Sequence, residues 1–556
     1  MKANIIIFIF LFSISLYARI RVAPPNPIKY DYLYKSGNVG QYLASAFHTS
    51  IDPSNTSGTK FKSREPALGN FYVLVIPIGF IDNQNVTVNE SLLDQFNDYY
   101  KEVSHNQFSL QFIIAPKVIS THKYSYYGAD SNGTDTGADH QIYELAREAI
   151  DLLKSASFDF EGKRNLLDSD NNGIIDHVML IHAGGAQENG DSGDIWSHMW
   201  KIINGSDDDD NIAGDTADGE QASASLKAVN YTCFSNSSPL GIICHEFGHD
   251  LGLVDLYAVN YSSNGVGDWE LMCTGCWNGP SYNGESPSYL SAHSRYYLGW
   301  VDPEDISGSS GDFSLTPVED SSDKMYRISL SDTEYFLLEN RQKMGSDSYI
   351  PGSGMLIWHI DEQVLADNWQ KNTINTNPSH MGIALMQADG NKDLELMRGR
   401  GDDGDPFPGT SHNSSFTPQT NPSSESYYST IKSSIFLSSI AVSGSNITFS
   451  KQGSFGYIAG IIPHPLDNNL IFIIIRTTAI PDSIPNLTVK EENGLTNQVS
   501  LNQLDTMLFE GTYEVSNVNN DVTLSISSSV NSKIKDATLK FTSNDSIKKA
   551  YMGPIR

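Results

Sequence analysis

The sequence predicts an α+β protein in which a region of mixed helices and strands is followed by β-rich regions. Up to about Trp300, runs typical of buried strands alternate with stretches of helical periodicity. Beyond Trp300 the chain changes to short alternating apolar runs separated by Ser, Gly, Asn and Asp. We expect a mixed sheet with helices over residues 67–300, a β-rich domain over 301–453 and a second one over 454–556. Both β-rich domains are expected to be sandwich-like.

Individual elements can be placed from local patterns. The run "FYVLVIPIGF" at 71–80 is rich in β-branched and aromatic residues and predicts a buried strand, as does "LIFIII" at 470–475. Apolar residues recur at three- and four-residue spacing in two stretches and predict amphipathic helices over 91–103 and 140–156. Further strands are predicted at "YFLLEN" from Tyr335, "GMLIWHID" from Gly354 and "SNITFS" from Ser445.

The N-terminus carries the pattern of an export signal. Lys2 precedes an apolar run over residues 5–16, which is shorter than the roughly 20 residues that a membrane-spanning helix needs. We therefore expect a signal peptide over 1–18 and a secreted protein without stable membrane insertion. An uncleaved anchor is the alternative, because the bulky residue Leu16 stands three residues before the expected cleavage site, which follows Ala18. The Pro-, Ser- and Gly-bearing stretch 19–66 predicts a prosegment, and hence a zymogen, or an extended arm.

The overall charge excludes one class of partner. A formal net charge of −30 argues against binding nucleic acid, whose phosphates favour clusters of Lys and Arg. Most of the acidic residues, including the run 207–210, are expected to be solvated surface groups. Twelve N-x-[ST] sequons allow glycosylation, although many would arise by chance in a chain this rich in Asn and Ser.

The stretch "HEFGHDLGLVD", which begins at His245, has the spacing of a zinc site. On a helix, His245 and His249 project from one face and can hold one Zn²⁺, with Glu246 beside them to take a proton from water. Ser238 and Pro239 precede the helix as a capping hydroxyl and a Pro at the first helical position. Gly252 lets the chain leave the helix, so that Asp255 can supply a third ligand. The alternative is a polar helix whose two histidines lie at the surface.

Together with Met272 in "GDWELM", this stretch resembles the metzincin zinc peptidases, in which a Met-containing turn lies under the metal. The resemblance narrows to the immune inhibitor A (M6) family. It extends over roughly 70–450, through "YYKEVSHNQFSL", "DSDNNGIIDHVMLIHAGGAQE", "DIWSHMW", "YYLGWVDP", "YFLLENRQ", "PGSGMLIWHID" and "GDPFPG".

The resemblance implies a metzincin-like catalytic domain with zinc on His245, His249 and Asp255 and with Glu246 as the general base. Asp250 is a rival third ligand, but it would point off the helix elsewhere. Cysteines stand at 244, 273 and 276, where the family would have small residues. Either a disulfide braces the zinc site or these are buried thiols, and the fourth cysteine, Cys233, leaves the pairing open.

A second cation site is predicted in "DSDNNGIID". Oxygen-bearing side chains alternate around a Gly turn as in the opening of a calcium loop, but the acidic residue expected at position 12 is replaced by Met179. A polar turn is the alternative, and the acidic stretch with Asp402, Asp403 and Asp405 is a second candidate set. The predicted calcium ligands are Asp168, Asp170, Asn172 and Asp176.

The leading function is a secreted zinc endopeptidase that hydrolyses proteins or peptides, with Zn²⁺ and Ca²⁺ as cofactors. A catalytically inactive surface or matrix-binding protein that retains the peptidase fold is the alternative, although an intact Glu246 argues against it. A glycosidase with paired carboxylates is a third class, for which no spacing singles out a pair.

Overall fold

The computed structural model describes most of the chain from residue 66 onward. The described residues are 21–22, 66–129, 141–191, 193–202, 219–320, 324–428, 433–453, 457–464, 467–477, 481, 483–505, 508–516, 521–530, 533–541 and 548–551. The predicted signal peptide, nearly all of the predicted prosegment and the acidic run 207–210 lie outside them. Within them, no helix has the length and apolar character that crossing a membrane requires.

A mixed seven-stranded sheet forms the centre of the N-terminal region. In chain order the strands are β1 (Arg21–Val22), β2 (Gly69–Gly79), β3 (Phe108–Ile114), β4 (Val118–Ile119), β5 (His177–His182), β6 (His198–Lys201), a separate hairpin of β7 (Glu220–Gln221) and β8 (Lys227–Ala228), and β9 (Asn230–Ser235). The order across the sheet is β1-β6-β9-β5-β2-β3, with β4 beside β2. The strands from β9 to β3 run parallel, whereas β6 is antiparallel to β9 and β1 is antiparallel to β6. The strand predicted at 71–80 is confirmed as β2.

Six helices accompany this sheet in the described residues. They are α1 (Glu90–Val103), α2 (Tyr124–Gly128), α3 (Ile142–Ser155), α4 (Arg164–Leu167), α5 (Leu240–Asp250) and α6 (Ala292–Tyr297). The helices predicted over 91–103 and 140–156 are confirmed as α1 and α3. Helix α1 begins at Glu90 because the Asn89 side chain accepts a hydrogen bond from the N–H of Leu92 at 3.3 Å.

The start of α5 differs from the prediction. Pro239 is the N-cap residue rather than the first helical residue, and no side chain caps the helix, so the predicted capping by Ser238 is wrong. Pro239 has an extended backbone and no N–H, so it takes the flanking position, from which its carbonyl accepts bonds from Ile242 and Ile243. All residues from Gly241 to Asp250 are buried, which makes α5 a central helix.

The second region contains two sheets. Its strands are β10 (Glu304–Asp305), β11 (Gly311–Leu315), β12 (Tyr326–Ser329), β13 (Glu334–Arg341), β14 (Gly354–Asp361), β15 (Ile383–Leu385), β16 (Ile435–Ser443) and β17 (Asn446–Gly453), and helix α7 (Glu362–Asn368) follows β14. Five strands pair in the order β10-β12-β13-β14-β15, and three in the order β11-β17-β16. The strands predicted at Tyr335, Gly354 and Ser445 are confirmed as β13, β14 and β17.

Both faces of the five-stranded sheet are covered. Along β13, Tyr335 and Leu337 pack in the hydrophobic core that also contains α5. The alternate residues, Phe336 and Leu338, pack in a second core shared with the three-stranded sheet. Because successive side chains of a strand point to opposite faces, the five-stranded sheet is a layer between two cores. One hydrophobic core therefore extends from the mixed sheet into residues 301–453.

The third region is all β in its described residues and has a separate core. Its strands are β18 (Tyr457–His464), β19 (Asp467–Thr477), β20 (Asn486–Glu491), β21 (Thr496–Val499), β22 (Asn502–Asp505), β23 (Leu508–Glu514), β24 (Val522–Val530), β25 (Lys533–Phe541) and β26 (Lys548–Tyr551). They form sheets of order β22-β23-β19-β18-β26 and β21-β20-β24-β25. The buried strand predicted at 470–475 is confirmed within β19.

A buried ion-pair network joins the first two regions. Glu339 on β13 accepts hydrogen bonds from Arg295 on α6 at 2.8 Å and from Arg341 at 3.2 Å. Arg341 also donates to Asp347 at 2.5 and 2.7 Å, and Asp347 accepts the N–H of Tyr289 at 2.8 Å. All four charged side chains are 0–1% exposed, so each depends on its partners for compensation.

Replacing Arg341 by Met should destabilise the protein strongly. The change leaves Asp347 without its bidentate partner inside the core, which typically costs about 3–5 kcal/mol. Urea denaturation should show this loss in the free energy of unfolding. As a matched control, Arg398 is 64% exposed and lies 3.9 Å from Asp393, so Arg398→Met should change stability by less than about 0.5 kcal/mol. Equal stabilities of the two variants would contradict the role given to Arg341.

Candidate metal centre

Three predicted ligand residues converge inside the core. His245 and His249 lie one turn apart on α5, and their Nε2 atoms are 3.3 and 3.2 Å from the same oxygen, Oδ1 of Asp255. All three side chains are at most 1% exposed. The Nε2 atom of His245 and the Oδ1 atom of Asp255 are buried and have no hydrogen-bond partner. Burying such atoms is costly unless something compensates them, and a cation between them would do so.

The spacing of these atoms fits a tetrahedral ion. Zn²⁺ binds imidazole nitrogen and carboxylate oxygen at about 2.0–2.2 Å, so two ligand atoms at a tetrahedral ion lie roughly 3.3–3.5 Å apart. The observed 3.2 and 3.3 Å agree with that separation. Burial would raise the pKa of Asp255, but the adjacent His249 and His245 outweigh it and hold the pKa of that carboxyl below its usual value. Two nitrogens and one oxygen therefore form a ligand set that zinc accepts.

Backbone carbonyls fix the orientation of both imidazoles. The Nδ1 atom of His245 lies 2.9 Å from the carbonyl of Leu271, and that of His249 lies 3.0 Å from the carbonyl of Leu253. A carbonyl can only accept, so Nδ1 carries the proton and Nε2 keeps its lone pair for a metal. Gly252 has a left-handed backbone with φ of 94°, which turns the chain back after α5 and brings Leu253 to His249.

Met272 packs directly beneath the helix. It is fully buried, and its sulfur lies so close to Gly248 that a Cβ there would collide with it. The carbonyl of Met272 accepts the N–H of Leu256 at 2.7 Å, which joins this turn to the loop that carries Asp255. The turn itself is held by Glu270, a buried carboxylate that sequence reasoning missed. Its oxygens accept bonds from Met272 N–H and from two serines of the α6 end, Ser291 and Ser294.

Burial raises the pKa of Glu270 to about 7, despite the three hydrogen bonds that lower it.

Glu246, the predicted base, follows His245 in α5 and is fully buried. Asp250, the rival ligand, lies elsewhere: its Oδ2 is 2.5 Å from Nδ1 of His177 on β5. The structure thus groups Asp255, and not Asp250, with the two histidines of α5.

Asn372 contacts Asp255, the third predicted ligand, and the sequence gave no reason to select it. Asn372, which follows α7, accepts the N–H of Asp255 at 2.8 Å and donates to Oδ2 of that carboxylate at 2.5 Å. It is 117 residues away in sequence, so no local pattern connects the two.

The cysteines near the site form no disulfide. All four are buried thiols outside any disulfide, in agreement with the buried-thiol interpretation. Burial raises the pKa of the thiols of Cys244, Cys273 and Cys276 well above the usual value, so none of these three is an activated nucleophile.

The predicted calcium residues also converge in part. Ligand oxygens of Asp168, Asp170 and Asp176 lie within 4.8 Å of one another. The Oδ1 atom of Asp168 is buried without a hydrogen-bond partner, whereas its Oδ2 accepts the N–H of Gly173 at 3.0 Å. Asn172 donates to Asp170 at 2.9 Å, and its oxygen accepts the N–H of Ile174.

A second acidic group lies in the region after residue 301. Oxygens of Asp389, Asp402 and Asp405 lie within 4.8 Å of one another, so Asp389 takes the place that the sequence gave to Asp403. Burial, and then the charges of Asp402 and Asp389, raise the pKa of Asp405 to about 7. Trp269, just before the Met272 turn, donates to Asp405 at 3.0 Å.

Known proteins are similar to the part of the chain that contains this centre. Residues 77–301 match the catalytic domain of the immune inhibitor A peptidases, M6. The chain is 29% identical over 238 residues to the pre-pro-metalloprotease PrtV of Vibrio cholerae serotype O1 (strain M66-2), which covers 38% of this chain and 24% of that protein. It is 30% identical over 229 residues to immune inhibitor A of Bacillus thuringiensis subsp. alesti, covering 37% of this chain and 32% of that protein.

The chain thus spans about a quarter to a third of the length of these relatives. Among solved structures, a DUF4426 family protein of Pseudomonas aeruginosa PAO1 aligns with 19% of this chain and 96% of its own length, at 9% identity. The TM-score of 0.14 is too low to indicate a shared fold. The matched segment 77–301 includes α5, Asp255 and the Met272 turn. On these grounds residues 77–301 are assigned to the catalytic domain of the immune inhibitor A (M6) metallopeptidases.

Proposed function

We propose that the protein is a secreted zinc-dependent endopeptidase. The observation that carries the proposal is the convergence of His245, His249 and Asp255 around one buried point, with Glu246 in the same turn of α5. Three protein ligands leave one position of a tetrahedral ion open, which is the arrangement of catalytic rather than structural zinc sites. The metallopeptidase relatives support the same class of reaction.

Each residue has a defined task in this proposal. When bound by these residues, zinc would supply the Lewis acidity that makes water more acidic and polarises a scissile carbonyl. The two histidines bind through Nε2, because their Nδ1 protons are held by backbone carbonyls. Glu246 takes the proton of the attacking water and passes it to the leaving amine. Its position inside the core keeps competing water away from the proton in transfer.

Replacing Glu246 by Gln should leave a folded, zinc-loaded and nearly inactive protein. The change keeps size and removes the base, and a positioned base contributes about 10² to 10⁴ in rate. The rate of casein cleavage should fall by at least about 10²-fold. Metal analysis should find the same ratio of zinc to protein as in wild type.

Two further variants make the result specific. His249→Ala should lose zinc together with activity, because two ligands hold the ion weakly. Glu285 is an exposed glutamate of the same region, so Glu285→Gln should cleave casein like wild type. A Glu246→Gln variant that cleaves casein at the wild-type rate would refute Glu246 as the base.

We also propose that calcium stabilises the fold at the aspartates that follow α4. Support comes from the convergence of Asp168, Asp170 and Asp176 and from the buried Oδ1 of Asp168, which has no hydrogen-bond partner. Calcium favours several carboxylate oxygens, and here it would relieve their mutual repulsion. The site would have a structural and not a chemical role.

Calcium should therefore raise the melting temperature of the zinc-loaded protein, by an amount that grows with concentration. At a calcium concentration 100 times the dissociation constant, the gain in stability is about 2.7 kcal/mol. Asp170→Ala should abolish this response and retain zinc. Asp402→Ala is the comparison, and a response lost in Asp402→Ala but kept in Asp170→Ala would assign the calcium effect to the second acidic group.

Finally, we propose that the chain is exported and that residues 19–66 restrain it as a prosegment. Within that stretch Arg21–Val22 pairs with β6 at the edge of the mixed sheet, and this strand also contacts α5. The name of one relative, a pre-pro-metalloprotease, is consistent with such processing.

Removal of a signal peptide and of a prosegment leads to two expectations. Protein recovered from the culture medium should begin at Arg19 or later, as N-terminal sequencing would report. A chain beginning at Arg19 should cleave casein more slowly than one beginning at Pro66, which keeps the bond from Trp300 to the Ala67 carbonyl. Equal rates would show that the arm imposes no restraint.

A further inference from the structure

The third proposed ligand of the candidate metal centre lies on a different kind of backbone from the other two. His245 and His249 lie on a helix, whose backbone fixes their separation. Asp255 lies in an irregular loop that follows α5. A carboxylate can rotate and present either oxygen or both to an ion, so a loop carboxylate needs a partner to fix its orientation.

We propose that Asn372 is a positioning residue that selects the oxygen by which Asp255 binds the metal, an inference that rests on the proposed zinc site. Its side-chain oxygen accepts the N–H of Asp255 at 2.8 Å, and its Nδ2 donates to Oδ2 at 2.5 Å. Because the backbone N–H can only donate and the ionised carboxylate only accepts, the orientation of the amide is fixed by chemistry. With Oδ2 engaged, Oδ1 is the oxygen left facing both histidines.

Asn372 is itself held rigidly. It is 2% exposed and has a left-handed backbone with φ of 53°, a conformation that Asn adopts more readily than most residues. The preceding Trp369 packs its ring 4.7 Å from that of Tyr297 on α6. Helix α7 before it is capped by Asp361, whose side chain accepts the N–H groups of two first-turn residues. The segment that leads to Asn372 is thus fixed by packing and by a helix cap, which supports an orienting role for its side chain.

The same segment contains a matched control. Asn375 is equally buried, at 1% exposure, and donates to the carbonyl of Leu256, the residue after the ligand. It braces the same loop but does not touch the Asp255 carboxylate. If bracing the loop were all that mattered, losing either amide would have the same consequence for metal binding.

The test compares Asn372→Gly with Asn375→Gly in the full chain. Glycine keeps the left-handed backbone of Asn372 accessible, and both variants lose the same amide group. Zinc dissociation constants would be measured by competition with a chromophoric chelator, and visible spectra would be recorded with cobalt(II) in place of zinc. Loss of such an outer partner typically weakens metal binding 10- to 100-fold.

We expect Asn372→Gly to bind zinc about 10- to 100-fold more weakly, with an altered cobalt spectrum, and Asn375→Gly to remain within about twofold of wild type. Equal affinities of Asn372→Gly and wild type, or equal losses in both variants, would overturn the inference. If Asn372→Gly does not fold, Asn372→Asp keeps the shape and the bond to the Asp255 N–H, and an unchanged cobalt spectrum there overturns it. A wild-type protein that binds no zinc would refute the proposed function instead.

Discussion

The structure depends on bringing two imidazoles and one carboxylate to a single point inside an apolar core. Taking a charged carboxylate out of water costs several kcal/mol unless neighbouring groups compensate it. Here Asn372 donates to one oxygen of Asp255, and the other oxygen faces the two histidines, where the proposed zinc ion would compensate its charge. Such an arrangement also depends on tight packing around it. The helix that carries the histidines is accordingly buried along almost its whole length.

That requirement explains why the centre is assembled from three separate segments. The Leu253 carbonyl and the Leu271 carbonyl hold the two imidazoles from different loops. The Met272 turn joins those loops, and its sulfur fills the space that only a glycine at 248 leaves open. A larger residue at 248 would have to displace the Met272 side chain. The residue that packs against Gly248 thus directly follows Leu271, whose carbonyl orients His245.

Sequence patterns predicted what is local. The two histidines and Glu246 lie within one helical turn, so their spacing alone placed them together, and short apolar runs separated by polar residues placed β13 and β14. The start of α5 was missed by one residue, because Ser238 and Pro239 fit two cap registers equally well. Glu270 and Asn372 could not be found, since their partners are set by tertiary packing and not by spacing. Asp389 joins Asp402 and Asp405 for the same reason, because a fold brings together carboxylates that the sequence separates.

The position of Asn372 changes what counts as the catalytic unit. The segment that matches the M6 catalytic domain ends at residue 301, yet Asn372 and the layer formed by β13 and β14 lie beyond it. That layer shares the core of helix α5 through one face, and Arg341 is buried at the junction. The segment after α7 binds the backbone on both sides of the Asp255 side chain, because Asn372 accepts the N–H of Asp255 and Asn375 donates to the carbonyl of Leu256. Physically, then, the β-rich layer of residues 301–453 supports the candidate metal centre, whereas the region after 454 has a core of its own and makes no comparable contribution among the described residues.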